Sequence, residues 1–212
     1  MIKVNEIFHS IQGESTYAGR PCVFIRLTGC NLRCSYCDTT YAYEDGTFMS
    51  TGDIVEKTVS FGCPLVEITG GEPLLQSDTP GLITALADMK FKLLLETNGS
   101  IDIGAVDKRC VRIMDIKCPS SGEEGRNDYK NLQRLNPGDE IKFVIADRKD
   151  YEFAFNIMRG IPQELKIQIL FSPCFSRIDP RELVSWMLAD RLDARLNMQL
   201  HKHIWPPDMR GV

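Results

Sequence analysis

Short apolar runs that end in polar residues recur along this chain. Residues 22–28, 65–69, 92–98, 111–117, 140–145 and 166–171 are each rich in Val, Ile, Leu or Phe and are apolar on both alternating faces. A strand covered on one side only alternates apolar with polar, whereas these runs suit parallel strands buried between two layers. Between them, helical spacing covers residues 53–61, 80–89, 149–159 and 180–192. Ser50 or Thr51 can cap the first of these helices. Asp179 and Pro180 give the last one an N-cap followed by proline at the first helical position. Residues 101–106 and 118–139 lack helical periodicity, so some crossovers are expected as loops.

Alternation along a strand puts Arg26 with Thr28, Glu67 with Thr69, Glu96 with Asn98, and Asp115 with Lys117 on common faces. Any one such pair reads equally well as a solvated strand end. Repeated on successive strands, they gather polar groups at the C-terminal ends, where barrels build their sites. The pattern therefore predicts an α/β fold, a partial (β/α)6 barrel with a curved, mainly parallel six-stranded sheet and an incomplete set of helices.

Composition narrows this further. The 212 residues suit a single domain over 1–212 with a short N-terminal segment and a C-terminal tail. A net charge of −4 argues against a nucleic-acid partner, which calls for a basic excess. No apolar run approaches the roughly 20 residues that span a bilayer, and no signal-like stretch opens the chain, so a cytoplasmic location is expected. Eight cysteines in such a chain favour metal or catalytic use over disulfides. Cys22, Cys63, Cys110, Cys118 and Cys174 are scattered and read as buried small hydrophobes.

The other three, Cys30, Cys34 and Cys37, stand directly after the first run in a glycine-led polar loop. Three thiolates can converge on one metal centre but do not complete a four-ligand shell. Structural zinc would need a fourth ligand, for which His9 or Cys22 are the candidates. A cubane iron–sulfur cluster held by three thiolates instead leaves one iron open. Thr69-Gly70-Gly71-Glu72-Pro73 follows the second run, where glycines let backbone approach a ligand and Glu72 can accept from a ligand ammonium group.

This pair of motifs resembles the radical S-adenosylmethionine superfamily. Residues 6–15, Gly19-Arg20-Pro21, Cys37-Asp38-Thr39, residues 95–99 and the tail 201–205 make the chain similar to the 7-carboxy-7-deazaguanine synthase family in particular. The resemblance implies ring contraction of 6-carboxy-5,6,7,8-tetrahydropterin with release of ammonia, on the route to queuosine and related 7-deazapurines. It implies a 4Fe-4S cluster on Cys30, Cys34 and Cys37, S-adenosylmethionine cleaved to a 5′-deoxyadenosyl radical, and Mg2+ on Thr39. Contacts to S-adenosylmethionine would come from Tyr36, Cys37, Asp38, Gly71, Glu72, Asp115, Lys117, Ser172 and Pro173. Substrate contacts would come from Ile11, Gln12, Gly13, Glu14, Arg26, Thr69, His201 and Pro207. A flavodoxin-like reductase and a homodimer are implied as well. The chain departs from the family pattern at Asp115-Ile116-Lys117, where Ser-Pro-Lys is expected.

The residues themselves allow roles beside these. Arg26 can take a substrate carboxylate bidentately or form an interior salt bridge to Glu67 or Glu96. Gln12 and Glu14, expected ahead of the first strand, can meet a pterin edge or cap a polar loop. The competing functions are a radical activase of a partner protein and a non-catalytic zinc or iron–sulfur module.

Overall fold

A computed structural model describes residues 1–212, the side chain of Gln163 excepted. The strands are β1 (Ile2–Ile11), β2 (Pro21–Leu27), β3 (Thr47–Met49), β4 (Leu65–Gly70), β5 (Lys92–Thr97), β6 (Cys110–Asp115), β7 (Glu140–Ile145), β8 (Gln168–Pro173) and β9 (Arg195–Leu196). The helices are α1 (Thr51–Ser60), α2 (Thr79–Asp88), α3 (Arg148–Arg159), α4 (Pro180–Ala189) and the single turn α5 (His201–Ile204). All strands join one open sheet in the order β3-β1-β2-β4-β5-β6-β7-β8-β9. The six runs legible in the sequence are β2, β4, β5, β6, β7 and β8, and every pairing among them is parallel.

Three strands go beyond the expected six. The long strand β1 pairs antiparallel with β2 and β3, so Gln12 and Glu14 lie in a hairpin loop after a strand, not before the first one. Its alternation is hidden by a bulge between Val4 and Glu6: the inward side chains are Ile2, Val4 and Ile7, a step of two and then of three. Two expected boundaries also move. Lys166 at φ +50° and Arg191 at φ +48° hold left-handed backbone, which delays the start of β8 and ends α4 early.

Helix starts follow the local chemistry. Ser50 and Asp53 form a reciprocal capping box on α1, and Asp147 and Asp179 cap α3 and α4. The crossover after β5 holds no helix and the one after β6 only short 3-10 turns, as the missing periodicity predicts. One apolar cluster joins β1–β8 with α1–α4, including Ile25, Leu27, Ile68, Leu95, Phe143 and Phe171.

The sheet curls around its polar face. Thr16, in the β1–β2 loop, donates its backbone N–H and its hydroxyl to Glu140 on β7, five places away in strand order. Asn197, just after β9, accepts from the Ser15 N–H at 2.7 Å. The two ends of an open sheet are thereby brought together over the strand tips, as a partial barrel requires.

Candidate active site

The polar face opens into a cavity of about 560 Å³. Arg26 (β2), Glu67 and Thr69 (β4), Glu96 (β5), Asp115 (β6), Lys142 (β7) and Ser172 (β8) line it, one strand after another. Thr28 does not join them. It lies beyond the end of β2, and its hydroxyl donates to the Asp45 carbonyl at 2.6 Å.

Cys30, Cys34 and Cys37 are half-buried on one side of this cavity with free thiols. Their loop is fixed by backbone bonds: Gly29 N–H to Ala42 O at 2.8 Å, Glu72 N–H to Gly29 O at 2.7 Å, and Ser35 N–H to Ser121 O at 2.9 Å. Leu32 N–H donates to Cys30 Sγ at 3.4 Å, an N–H···S bond of the kind that stabilises a ligating thiolate. Burial pushes the Cys34 thiol up to about 11, with Lys117 pulling the other way. Three thiols grouped at a cavity wall beside a buried lysine fit a three-thiolate cluster. They do not fit zinc. Cys22 is buried in the core and His9 is exposed against the Phe61 ring, so neither supplies a fourth ligand. Among the described residues no three His, Cys, Asp or Glu side chains gather tightly enough to hold a single metal ion.

The Gly-Gly-Glu-Pro turn does its work against the protein. A Cβ on Gly71 would collide with the Gly29 carbonyl and the Cys30 Cβ, so glycine there lets the turn press on the cysteine loop. Glu72 is turned inward. Its carboxylate accepts from Leu74 N–H at 3.0 Å, Thr97 Oγ1 at 2.9 Å and Asn98 N–H at 2.6 Å. Glu72 therefore does not reach the cavity, and the expected contact between its side chain and a ligand ammonium group is not formed by this geometry. Every other residue expected to contact the cluster, Mg2+, S-adenosylmethionine or the substrate lines the cavity.

Arg26 pairs through Nε with Glu6 of β1 at 2.8 Å, not with Glu67 or Glu96. Neither Nη makes a hydrogen bond among the described residues, which leaves the outer fork of the guanidinium for a ligand. Lys117 pairs with Asp115 at 2.7 Å. Burial opposes its charge, but Asp115 and Cys34 together more than offset this and hold the lysine above its usual range. Asp115 Oδ1 and the Tyr36 hydroxyl are both buried without a hydrogen-bond partner, polar atoms that a bound cofactor would satisfy. The Thr39 hydroxyl donates to Asp38 Oδ1 at 2.9 Å, leaving its lone pairs available. Burial lowers the pKa of His201, opposed by Glu14, so the imidazole is neutral at pH 7.

The sequence assigned no site role to Glu6, Lys142, Asn197, Gln199 or Lys202. Gln199 donates to Glu14 at 2.9 Å, and Lys202 pairs with Asp38. Lys142 left a signal, since Glu140 and Lys142 are polar positions two apart in an otherwise apolar run. In the tail, whose residues 201–205 carried the resemblance, only His201 and Pro207 were given a site role.

A family profile described as Radical SAM superfamily matches residues 24–115, the span from β2 to β6. The 7-carboxy-7-deazaguanine synthase of Chlorobaculum tepidum is 49% identical over 214 aligned residues, covering 100% of this chain and 97% of that protein. This chain belongs to the 7-carboxy-7-deazaguanine synthase family. A second 7-carboxy-7-deazaguanine synthase, from Koribacter versatilis, is 45% identical with complete coverage of both chains. The crystal structure of QueE from Escherichia coli superposes with a TM-score of 0.79 at 26% identity, covering 94% of each chain. The radical S-adenosylmethionine match implies that cofactor and a 4Fe-4S cluster, for which the three thiols and the orphaned polar atoms are suited. Membership of the 7-carboxy-7-deazaguanine synthase family displaces both competing functions, the protein activase and the non-catalytic module.

Proposed function

We propose that this protein is a radical S-adenosylmethionine enzyme that converts 6-carboxy-5,6,7,8-tetrahydropterin to 7-carboxy-7-deazaguanine with release of ammonia. It would act as a single domain in the cytoplasm. The observation that carries this is one cavity whose wall holds three cysteines on one side and a cation–carboxylate set on the other. Full-length similarity to proteins named for the product supports it.

Cys30, Cys34 and Cys37 would hold the cluster, with Tyr36, Asp38, Gly71, Asp115, Lys117, Ser172 and Pro173 around S-adenosylmethionine. When bound, these groups supply the electron and the 5′-deoxyadenosyl radical. The chain's own task is placement. Arg26, anchored by Glu6, presents its outer Nη groups to the substrate carboxylate. Thr39 contributes a hydroxyl to Mg2+, a ligand suited to a cation that keeps several waters. Ile11, Gln12, Gly13, Glu14, Thr69 and His201 surround the ring. Neutral His201 can both donate and accept there. Pro207 lines the cavity in the tail segment that Arg210 ties to the Tyr41 ring, 3.9 Å from its centroid. A flavodoxin-like reductase would supply electrons, and a homodimer is the expected assembly.

The test is anaerobic reconstitution followed by incubation with reductant, S-adenosylmethionine, Mg2+ and the carboxytetrahydropterin. Ring-contracted product and one ammonia per turnover are expected. Cluster-replete protein that forms neither overturns the reading.

A further inference from the structure

Lys142 lies mid-way along a buried parallel strand, where an ammonium group persists only if partners offset its desolvation. Its side chain is 7% exposed, and Nζ contacts Glu14 Oε2 at 3.0 Å and, more closely, Glu96 Oε1. These carboxylates approach from different sides, Glu14 from the β1–β2 loop and Glu96 from β5. Each is held a second time. Gln199 donates to Glu14 Oε1 at 2.9 Å, and Thr69 Oγ1 donates to Glu96 Oε2 at 3.3 Å. A third carboxyl, Glu67, makes no ion pair among the described residues and accepts from the Gln12 amide.

We propose that Lys142 is a positioning residue for substrate recognition: by sharing its ammonium between Glu14 and Glu96, it fixes two carboxylates as a paired acceptor for a ligand edge carrying several N–H donors. An aminopyrimidinone edge has that chemistry, and the proposal rests on the pterin reading given above. Arg26 supplies the opposite polarity within the same cavity. Lys142 is the only ion-pair partner of Glu14 and of Glu96 among the described residues. The other charged groups facing this set are Glu67 on β4, Asp115 and Lys117 at the end of β6, Glu140 on its own strand and His201 on α5. Without the ammonium, burial and mutual repulsion favour protonation of one carboxyl, which turns an acceptor into a donor.

The experiment compares Lys142→Met and Lys142→Arg with wild type in calorimetric binding of the carboxytetrahydropterin, from about pH 6 to about pH 9. Lys142→Met is expected to bind at least about tenfold more weakly at neutral pH and to recover as pH rises. Lys142→Arg retains most of the affinity. Binding by Lys142→Met within about twofold of wild type throughout, or a loss equal at every pH, overturns the proposal. A second readout needs no substrate. In protein carrying 13C-labelled glutamate, Lys142→Met gains protonated-carboxyl infrared intensity beyond the Glu67 band that wild type and Lys142→Arg already show, and absence of that gain also overturns it. Wild type that fails to turn over the pterin counts against the proposed function alone, because the infrared comparison still reads Lys142.

Discussion

At the scale of single residues, two positions carry predictions with a clear physical sign. A Cβ on Gly13 would run into the His201 ring. Gly13→Ala should therefore displace the imidazole and weaken pterin binding by about tenfold, roughly 1.4 kcal/mol, while cluster loading stays at the wild-type level. Calorimetric titration and iron analysis on the same sample check both halves. Glu67 is the carboxyl that burial, then Glu96 and Glu14, raise well above its ordinary 4.5. The folded state thus keeps a proton that the unfolded chain releases near 4.5, and stability falls as pH rises through that window before levelling off. Glu67→Gln removes this titration while keeping the shape of the neutral acid. Its melting temperature relative to wild type should climb between about pH 5 and about pH 8, and a constant offset would refute the assignment. At this scale the sequence located residues of the cavity wall wherever chemistry is local, as with the cysteine triad, Thr39 and Arg26. It could not tell that Glu72 turns inward, because its partners Thr97 and Asn98 are brought to it only by strand pairing. Glu6 as the anchor of Arg26 likewise depends on the β1–β2 register, in which Glu6 and Arg26 are direct neighbours.

At the scale of elements, the cysteine loop and the Gly-Gly turn form a single device. The turn leans on the loop at Gly71 and Gly29, and Glu72 locks the turn to the end of β5. Gly71→Ala should push the loop out of place at an overpacking cost of about 1–3 kcal/mol. The expected result is less than half the wild-type iron per chain after anaerobic reconstitution, with secondary structure unchanged by circular dichroism. Full loading would show that the loop tolerates the displacement. The six central strands were legible because apolar character on both faces is a property of each run by itself. The antiparallel β1 was not, since its bulge breaks the two-residue period, and β3 and β9 are too short to show one. Helices announced by caps were found at their starts. Their ends depended on left-handed backbone at residues such as Arg191, which no periodicity marks.

At the scale of the whole molecule, an open sheet encloses a cavity because its two ends are joined over the strand tips. Asn197 is central to that closure. It is 3% exposed, accepts from Ser15 N–H, and donates to Ser172 Oγ at 2.7 Å and to Glu14 Oε2 at 3.4 Å. It thereby links the first hairpin loop to β8 and to the carboxylate that Lys142 holds. Replacing it with alanine leaves a buried N–H without a partner, a loss of about 1–3 kcal/mol. In a chain of this length each lost kcal/mol lowers the melting temperature by about 2–4 °C. The distribution of that loss is the sharper test. In Asn197→Ala, amide hydrogen exchange should accelerate in the loop after β1 and in residues 197–204, while β4, β5 and β6 keep their protection. Acceleration spread evenly over the sheet would mean that Asn197 supports the core and not the closure. Protection unchanged throughout would mean that the two ends are held together without it. Local acceleration with weakened pterin binding would tie the shape of the cavity to a contact between residues almost the whole chain apart.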